Sequence, residues 1–296
     1  MALFQHTVPW LRACWKQTGH FLKDIKITHS LFTLPFLWVA IELLPTTAQL
    51  SGQTIALLVL TLVSARMFGM GVNRFADRHI DARCPRTRSR MLASKQLKES
   101  WALGYIILAA CGVILCSAAL SSIAFGLSFI LLIWLAVYSW LKRWSFSVHF
   151  YLGSCLGLVP VATALATQTA LNLPLWLLAF NIMFWVAGFD MLYALSDRLF
   201  DIKEGLHSIP SRFGIRLTRH ISGACFLISS ACLIMLGYVL TMPAIYYVGT
   251  GLLTVMLLAQ SISKAHNSTV ITAINTWYGV LYLALFLTSK GGSSLG

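Results

Sequence analysis

Long stretches of this chain carry no charged side chain. No Asp, Glu, Lys or Arg occurs in the 42 residues 100–141, the 46 residues 144–189 or the 44 residues 220–263. Residues 28–64 hold a single charge, Glu42, and 25 uncharged residues follow at 265–289. A helix needs about 20 mainly apolar residues to cross a bilayer. Each of the longer stretches therefore predicts two spans and the last predicts one, which makes nine.

Polar or proline-containing breaks divide the longer stretches near their middles, at residues 45–47, 121–122, 168–174 and 241–243. Such breaks favour short turns between antiparallel helices. Only 10% of the residues are charged, whereas soluble domains carry roughly 25%, and this excludes a soluble protein. We therefore expect an all-α integral membrane protein. One nine-helix domain occupies residues 27–289, between an N-terminal segment (1–26) and a short tail (290–296).

Basic residues set the predicted orientation. Of the 22 Lys and Arg residues, 20 fall in the N-terminal segment or in the connections after every second helix, which places them on one face. The positive-inside rule makes this face cytoplasmic, with the N-terminus inside and the C-terminus outside the inner (plasma) membrane. Arg66 and Lys290 are the exceptions. Residues 1–26 mix aromatic and basic side chains, which favours an interfacial helix. Topology explains much of the basic excess, so we expect no nucleic-acid partner.

Five of the six aspartates fall in two clusters at the cytoplasmic face. In the first cluster, Asn73, Asp77 and Asp81 are spaced four residues apart, which places them on one helix face. The second cluster has spacings of three, four and four residues, again one helix face, and comprises Asp190, Tyr193, Asp197 and Asp201. Acidic residues close to a bilayer are costly and usually functional.

Carboxylates four residues apart on a helix repel each other unless they share a cation. Mg²⁺ typically binds one or two carboxylates together with substrate phosphates. The two clusters therefore predict a magnesium site, with two ions, that bridges a diphosphate. Its predicted ligands are Asn73, Asp77, Asp81, Asp197 and Asp201. The alternative is a solvated loop in which these acids only form salt bridges with neighbouring Arg and Lys.

These clusters resemble the two motifs of the UbiA superfamily of membrane prenyltransferases. The second motif, D-x-x-Y-x-x-x-D-x-x-x-D, is matched in full at residues 190–201. The first, N-D-x-x-D-x-x-x-D, is matched except that Arg74 replaces its first Asp. Residues 138–143 resemble the family's Y-S-x-x-K-R segment, and residues 85–90 resemble R-T-x-x-R-P, with Met91 in place of the final Pro.

The resemblance implies nine helices around a central pocket and Mg²⁺-dependent transfer of a polyprenyl group. The implied donor is a polyprenyl diphosphate, and the implied acceptor is an aromatic hydroxy acid of the 4-hydroxybenzoate type in quinone biosynthesis. The alternative acceptor is 1,4-dihydroxy-6-naphthoate in menaquinone synthesis by the futalosine route. Catalytic roles are implied for Asp77, Asp81, Asp190, Asp197 and Asp201. Diphosphate contacts are implied for Asn73, Arg78, Arg86, Tyr138, Ser139, Lys142, Arg143 and Tyr193.

Several of these side chains have a simpler interpretation. The positive-inside rule alone would explain Lys142 and Arg143, and interfacial packing would explain Tyr138. The arginines after the first motif suit either the diphosphate or the acceptor's carboxylate. Arg66 either binds that carboxylate or extends its head group to the interface. His149 and His207 are expected to be hydrogen-bonded loop residues.

A transporter of an anionic solute is the alternative from a different class. Transporter sites lie near the bilayer midplane, where helices are interrupted. Here the predicted spans are almost free of charge at their centres and the acids lie at one interface. This distribution favours an enzyme.

Overall fold

The computed structural model describes residues 9–26, 33–45, 50–263 and 268–292, and its regular elements are all helical. Eleven α-helices follow one another along these ranges. They are α1 (Pro9–Asp24), α2 (Leu34–Glu42), α3 (Gly52–Arg83), α4 (Glu99–Leu120), α5 (Ser122–Leu141), α6 (Val148–Ala166), α7 (Leu173–Ala194), α8 (Arg198–Lys203), α9 (Ile209–Val239), α10 (Ala244–Ile262) and α11 (Ser268–Gly292).

Within the described ranges, eight helices are long and apolar enough to cross a membrane. The helices end at three of the predicted breaks, around residues 121, 168 and 242. The fourth break falls largely on residues 46–49, outside the described part of the chain. The first predicted span holds α2, which has nine residues, but residues 27–32 before it are not described. The count of nine spans therefore stays a prediction.

Helix α7 lies at the centre of the bundle. Trp185 on this helix is 1% exposed, and its ring lies 5.0 Å from Phe36 of α2 and 4.8 Å from Tyr278 of α11. The same core includes Phe226 of α9, which is fully buried. Helices α2, α7, α9 and α11 therefore share one apolar core, and α7 is held from several sides.

Two glycines bring α6 unusually close to α7. A Cβ atom on Gly153 would lie 2.3 Å from the carbonyl oxygen of Met183, and one on Gly157 would lie 2.8 Å from that of Ala179. Glycines four residues apart allow helix backbones to approach closely inside membranes, where van der Waals packing replaces the hydrophobic effect. The α6 face that carries these glycines is therefore fixed against α7.

Asp24, at the end of α1, organises the loop that follows α3. Its buried carboxylate accepts hydrogen bonds from the backbone N–H groups of Met91 (2.8 Å) and Leu92 (3.2 Å). Phe21 and Ile25 pack against the same loop. No sequence pattern around Asp24, the sixth aspartate, indicates this role, because its partners are backbone amides 67 and 68 residues away.

An ion pair lies at the opposite end of the bundle from the motifs. Lys290 of α11 donates to Glu42 of α2 at 2.8 Å. Both residues stood out in the sequence, Glu42 as a lone charge in an apolar stretch and Lys290 as a basic residue away from the predicted cytoplasmic face. Their pairing joins α2 to α11.

Replacing Asp24 with Asn should destabilise the protein, because an amide NH₂ cannot accept the hydrogen bond that one of the two backbone amides donates. A buried donor left unsatisfied costs about 1–3 kcal/mol. The expected result is a lower thermal midpoint of unfolding in detergent. Glu99→Gln is the matched control, since Glu99 is 55% exposed and pairs with Arg78. Equal midpoints for the two variants would contradict this role of Asp24.

Candidate active site

The first acidic cluster lies on one face of α3, as the spacing predicts. Asp77 is 1% exposed and forms an ion pair with Lys142, whose Nζ lies 2.6 Å from Oδ2. Arg143 lies 3.6 Å from Oδ1, and the amide of Asn73 donates to Oδ2 at 3.2 Å. A carboxylate this buried needs such partners, because an unpaired charge in a dry environment is very costly.

Asp81, one turn further along α3, is held by the loop after the helix. Nη1 of Arg90 donates to its Oδ2 at 2.5 Å. Arg74, which replaces the motif's first Asp, is buried and points elsewhere. It donates to the backbone oxygen of Asp24 at 3.1 Å and to Oδ1 of Asn73 at 2.8 Å. This departure from the motif therefore anchors α3 to α1 and leaves the spacing of Asn73, Asp77 and Asp81 intact.

The spacing of the second acidic cluster predicts one regular helix, and this prediction is wrong because the helix is interrupted within the cluster. Helix α7 ends at Ala194, a 3₁₀ turn spans Leu195–Asp197, and α8 begins at Arg198. The interruption places Asp190 on α7, Asp197 in the turn and Asp201 on α8. The physical reason is that a 3₁₀ turn winds more tightly than an α-helix, so four-residue spacing no longer maintains one face across it.

Arg86 connects the two clusters. It comes from the loop after α3, yet its guanidinium forms a bidentate pair with Asp197, with Nε donating to Oδ1 at 2.7 Å. Nη1 also donates to the hydroxyl of Tyr193 at 2.7 Å. Burial acts to lower the pKa of Arg86, but the hydrogen bonds to Asp197 and the negative charge of Asp197 hold it above its ordinary value. Arg86 therefore stays protonated.

Asp201 and Asp190 have different partners. The hydroxyl of Ser208 donates to Oδ2 of Asp201 at 3.0 Å. Nδ1 of His149, on α6, lies 2.7 Å from Oδ2 of Asp190, and the His149 side chain is 3% exposed. Sequence reasoning had treated His149 as a loop histidine. Its spacing of four and eight residues from Gly153 and Gly157 was the available signal, because it places all three residues on the α6 face that packs against α7.

Further contacts hold the loops around the clusters. The backbone N–H of His207 donates to the carbonyl of Lys142 at 2.7 Å, so the segment before α9 meets the end of α5. Arg83 at the end of α3 pairs with Glu204 after α8. The segments that carry the two motifs are therefore joined directly and also through α5.

Two residues assigned to the diphosphate lie differently from the rest. Arg78 pairs with Glu99 at 3.0 Å and stacks on Phe75, so the structure does not bring it to the acids. Ser139 is fully buried, and its hydroxyl has no hydrogen-bond partner among the described residues. Their roles in binding a diphosphate stay predictions.

An apolar cavity of about 440 Å³ lies between α3, α5 and α6. Leu58 and Ala166 line one end of the cavity. Tyr138 lines it about one helical turn before Lys142, and Arg66 lines it about three turns before Asp77. Along α3 the lining runs from Leu58 to Met70, roughly 18 Å at 1.5 Å per residue. Nε of Arg66 is buried, and no described residue accepts a hydrogen bond from it. The cavity therefore combines an apolar channel with one cation.

More basic charge surrounds the acids than sequence reasoning assigned. Lys26, next to the end of α1, has a pKa below its ordinary value, first because of desolvation and then because of the charges of Arg74, Arg90 and Arg86. The three arginines therefore lie close enough to Lys26 to disfavour its charged form. A cluster of like charges of this kind favours binding of an anion.

The acids fit a divalent cation that is bound together with an anionic substrate. Among the described residues, no three His, Cys, Asp or Glu side chains converge to hold an ion by themselves. Mg²⁺ commonly takes only one or two carboxylates and completes its shell with phosphate oxygens and water. Oδ1 of Asp77 is buried and accepts no hydrogen bond from the described residues. Asp77 thus offers an oxygen ligand on the first cluster.

Comparison with known proteins indicates the same family as the two acidic motifs. The sequence profile of the UbiA prenyltransferase family matches residues 31–288. A protein of Shewanella pealeana named 4-hydroxybenzoate octaprenyltransferase is 33% identical over 238 residues, which are 77% of this chain and 81% of the relative. One of Alkalilimnicola ehrlichii with the same name is 28% identical and covers 85% of both chains.

The fold is also that of solved structures. The apo structure of a UbiA homolog from Aeropyrum pernix K1 superimposes with a TM-score of 0.80 at 27% identity, over 89% of this chain and 98% of the other. A UbiA homolog from Archaeoglobus fulgidus bound to DMAPP and Mg²⁺ shares the fold, with a TM-score of 0.64 at 17% identity. With this match over most of its length, the chain belongs to the UbiA prenyltransferase family.

Proposed function

We propose that this protein transfers a polyprenyl group from a polyprenyl diphosphate to an aromatic hydroxy acid of the 4-hydroxybenzoate type, in quinone biosynthesis. The observation that carries the proposal is the arrangement of the two acidic clusters, which the arginine and lysine partners join at one end of an apolar cavity. The relatives named 4-hydroxybenzoate octaprenyltransferase support the acceptor class. The A. fulgidus homolog bound to DMAPP and Mg²⁺ supports a diphosphate donor and a divalent metal for the fold.

The donor would lie with its diphosphate at the clusters and its chain in the cavity. Lys142, Arg86 and Arg90 each pair with a carboxylate in the structure, so each can exchange that partner for a phosphate oxygen. Arginine is well suited to such bidentate contacts with phosphate. The apolar lining accommodates the isoprenoid chain and keeps water away.

We propose Asn73, Asp77, Asp81, Asp197 and Asp201 as the residues that hold Mg²⁺. A divalent ion bound there would supply Lewis-acid neutralisation of the leaving diphosphate. The number of ions remains the two that the pair of clusters predicts.

In the reaction, the C–O bond of the donor breaks and leaves an allylic cation in the cavity. Lys142, Arg86 and Arg90 stabilise the negative charge that accumulates on the diphosphate. The aromatic ring then attacks the cation, and exclusion of water protects this reactive species. Arg66 lines the same cavity, where its cation matches the acceptor's carboxylate.

The direct test is product formation. Purified protein in detergent is incubated with Mg²⁺ and a polyprenyl diphosphate, with 4-hydroxybenzoate and 1,4-dihydroxy-6-naphthoate offered in parallel, and products are identified by mass. We expect a prenylated 4-hydroxybenzoate, and its loss in excess EDTA. Preferential prenylation of the naphthoate would contradict the 4-hydroxybenzoate assignment and identify the naphthoate as the acceptor. Undiminished turnover in EDTA would contradict the metal site.

Asp77→Asn and Asp197→Asn should each reduce prenyl transfer by roughly 10²-fold or more, the loss that accompanies removal of a group stabilising transition-state charge. Both amides are close in size to the carboxylates, so folding in detergent should survive. Glu204→Gln is the matched control, since Glu204 lies at the same face and pairs with Arg83. Full activity of either aspartate variant would refute the assignment.

Arg66→Met should raise the KM for the aromatic acid by roughly 10- to 100-fold, because a hydrogen bond to a charged group contributes about 1.5–3 kcal/mol. The KM for the donor should change little, since Arg66 lies two turns from Asn73 along α3. Arg83→Met, a surface arginine, serves as the control. An unchanged acceptor KM would instead favour an Arg66 that only reaches toward the interface.

A further inference from the structure

Asp190 differs from the other cluster aspartates in its partner. Asp77, Asp81 and Asp197 each face a lysine or an arginine, and Asp201 accepts a hydrogen bond from the hydroxyl of Ser208. Asp190 instead accepts a hydrogen bond from Nδ1 of His149 at 2.7 Å. Occupation of the site by a diphosphate would draw the basic groups toward the phosphates, whereas the bond from His149 can persist. Asp190 can therefore keep its partner during the reaction, whereas the aspartates that face lysine or arginine would lose theirs to the diphosphate.

Two hydrogen bonds fix the ring of His149. The backbone N–H of Ile209, at the start of α9, donates to Nε2 at 3.4 Å, while Nδ1 faces Asp190. A ring nitrogen that accepts a hydrogen bond carries no proton, so these partners assign the neutral tautomer with hydrogen on Nδ1. A neutral donor orients Asp190 and leaves its negative charge uncompensated. The ring is 3% exposed, so it acts through Asp190 and does not touch substrate.

The packing of α6 on α7 explains why this pair is rigid. His149, Gly153 and Gly157 lie at successive four-residue steps on the α6 face that the glycines bring against α7. The approach of the two backbones fixes how far the imidazole lies from Asp190. Such support is what a reactive side chain needs to hold one orientation.

Asp190 also lies deeper than the rest of its cluster. Seven residues separate it from Asp197, which corresponds to roughly 10 Å along a helix. His149, which contacts Asp190, lies one turn along α6 from Leu152, and Leu152 lines the apolar cavity. Asp190 therefore lies between the level of the diphosphate and the cavity, where the aromatic ring would meet the reactive end of the donor.

We propose that Asp190, oriented by His149, accepts the proton that the aromatic ring loses after prenyl transfer. This inference rests on the proposed function. Once the new C–C bond has formed, the C–H bond at the same ring carbon breaks. Its electron pair restores the aromatic ring, and its proton goes to the carboxylate oxygen of Asp190 that His149 does not contact. His149 is a positioning residue in this step.

A kinetic isotope effect tests this role. Turnover is compared for the acceptor with hydrogen and with deuterium at the ring positions beside the hydroxyl. In the wild-type protein we expect no isotope effect, because a well-placed carboxylate takes the proton quickly. Asp190→Asn cannot accept the proton, so turnover should fall by roughly 10²- to 10⁴-fold, the usual contribution of a general base. A primary isotope effect should then appear, because proton removal has become the slow step.

Variants of His149 separate positioning from general stability. His149→Leu should slow turnover and produce the isotope effect, because Asp190 loses its orientation. His149→Gln should restore most of the rate and reduce the isotope effect, since an amide can both donate to Asp190 and accept from Ile209. His220→Leu, at an exposed histidine of α9, is the control for the substitution itself. Should His149→Leu fail to fold, Asp190→Asn and His149→Gln still decide the outcome.

Two results would overturn the inference while leaving the proposed function standing. One is wild-type turnover in His149→Leu. The other is slow turnover of Asp190→Asn without an isotope effect, which would place the proton on another acceptor, such as the departing diphosphate. Absence of any prenylated aromatic product with wild-type protein would overturn the proposed function itself, and this inference with it.

Discussion

Burial of carboxylates at one end of an apolar helix bundle is the constraint on which this structure depends. Asp77 and Asp81 are 1% and 5% exposed. A carboxylate this deeply buried stays ionised only if opposite charges or hydrogen-bond donors contact it. The partners come from other elements, namely the end of α5 for Asp77 and the loop after α3 for Asp81. The loops at this end of the bundle are therefore part of the site, and Asp24 in turn holds one of those loops in place.

The site divides by polarity along the helix axes. At the end of the bundle that carries the motifs, acidic and basic side chains pair with one another and suit a diphosphate with its metal. Two to three turns deeper along α3, apolar side chains surround a cavity with Arg66 as its cation. This gradient matches the shape of a prenyl diphosphate, which is highly charged at one end and hydrocarbon at the other. It also places the bond to be broken where water is scarce.

Packing between neutral surfaces sets the geometry of the charged site. Gly153 and Gly157 let α6 lie directly against the backbone of α7, and α7 is held from several sides by an aromatic core around Trp185. Helix packing of this kind is stiff because close-packed side chains have few alternative arrangements. Since Asp190 and Tyr193 belong to α7, their positions follow from contacts made far from the acids. Asp197 ends the 3₁₀ turn that follows, and from there it accepts a hydrogen bond from Arg86.

The sequence by itself determined the helical membrane fold, most turns and the residues of both acidic clusters. These features have local causes: apolar length sets a span, and four-residue spacing sets a face. It did not determine the partners, because ion pairs such as Arg86 with Asp197 join residues 111 apart. The role of Arg74, which replaces the motif's Asp, is visible only in the tertiary structure, where Arg74 of α3 donates to the backbone of Asp24 in α1. His149 became part of the site, and Arg78 turned toward Glu99, for the same reason: which side chains meet across helices depends on how whole helices pack, and no local pattern records it.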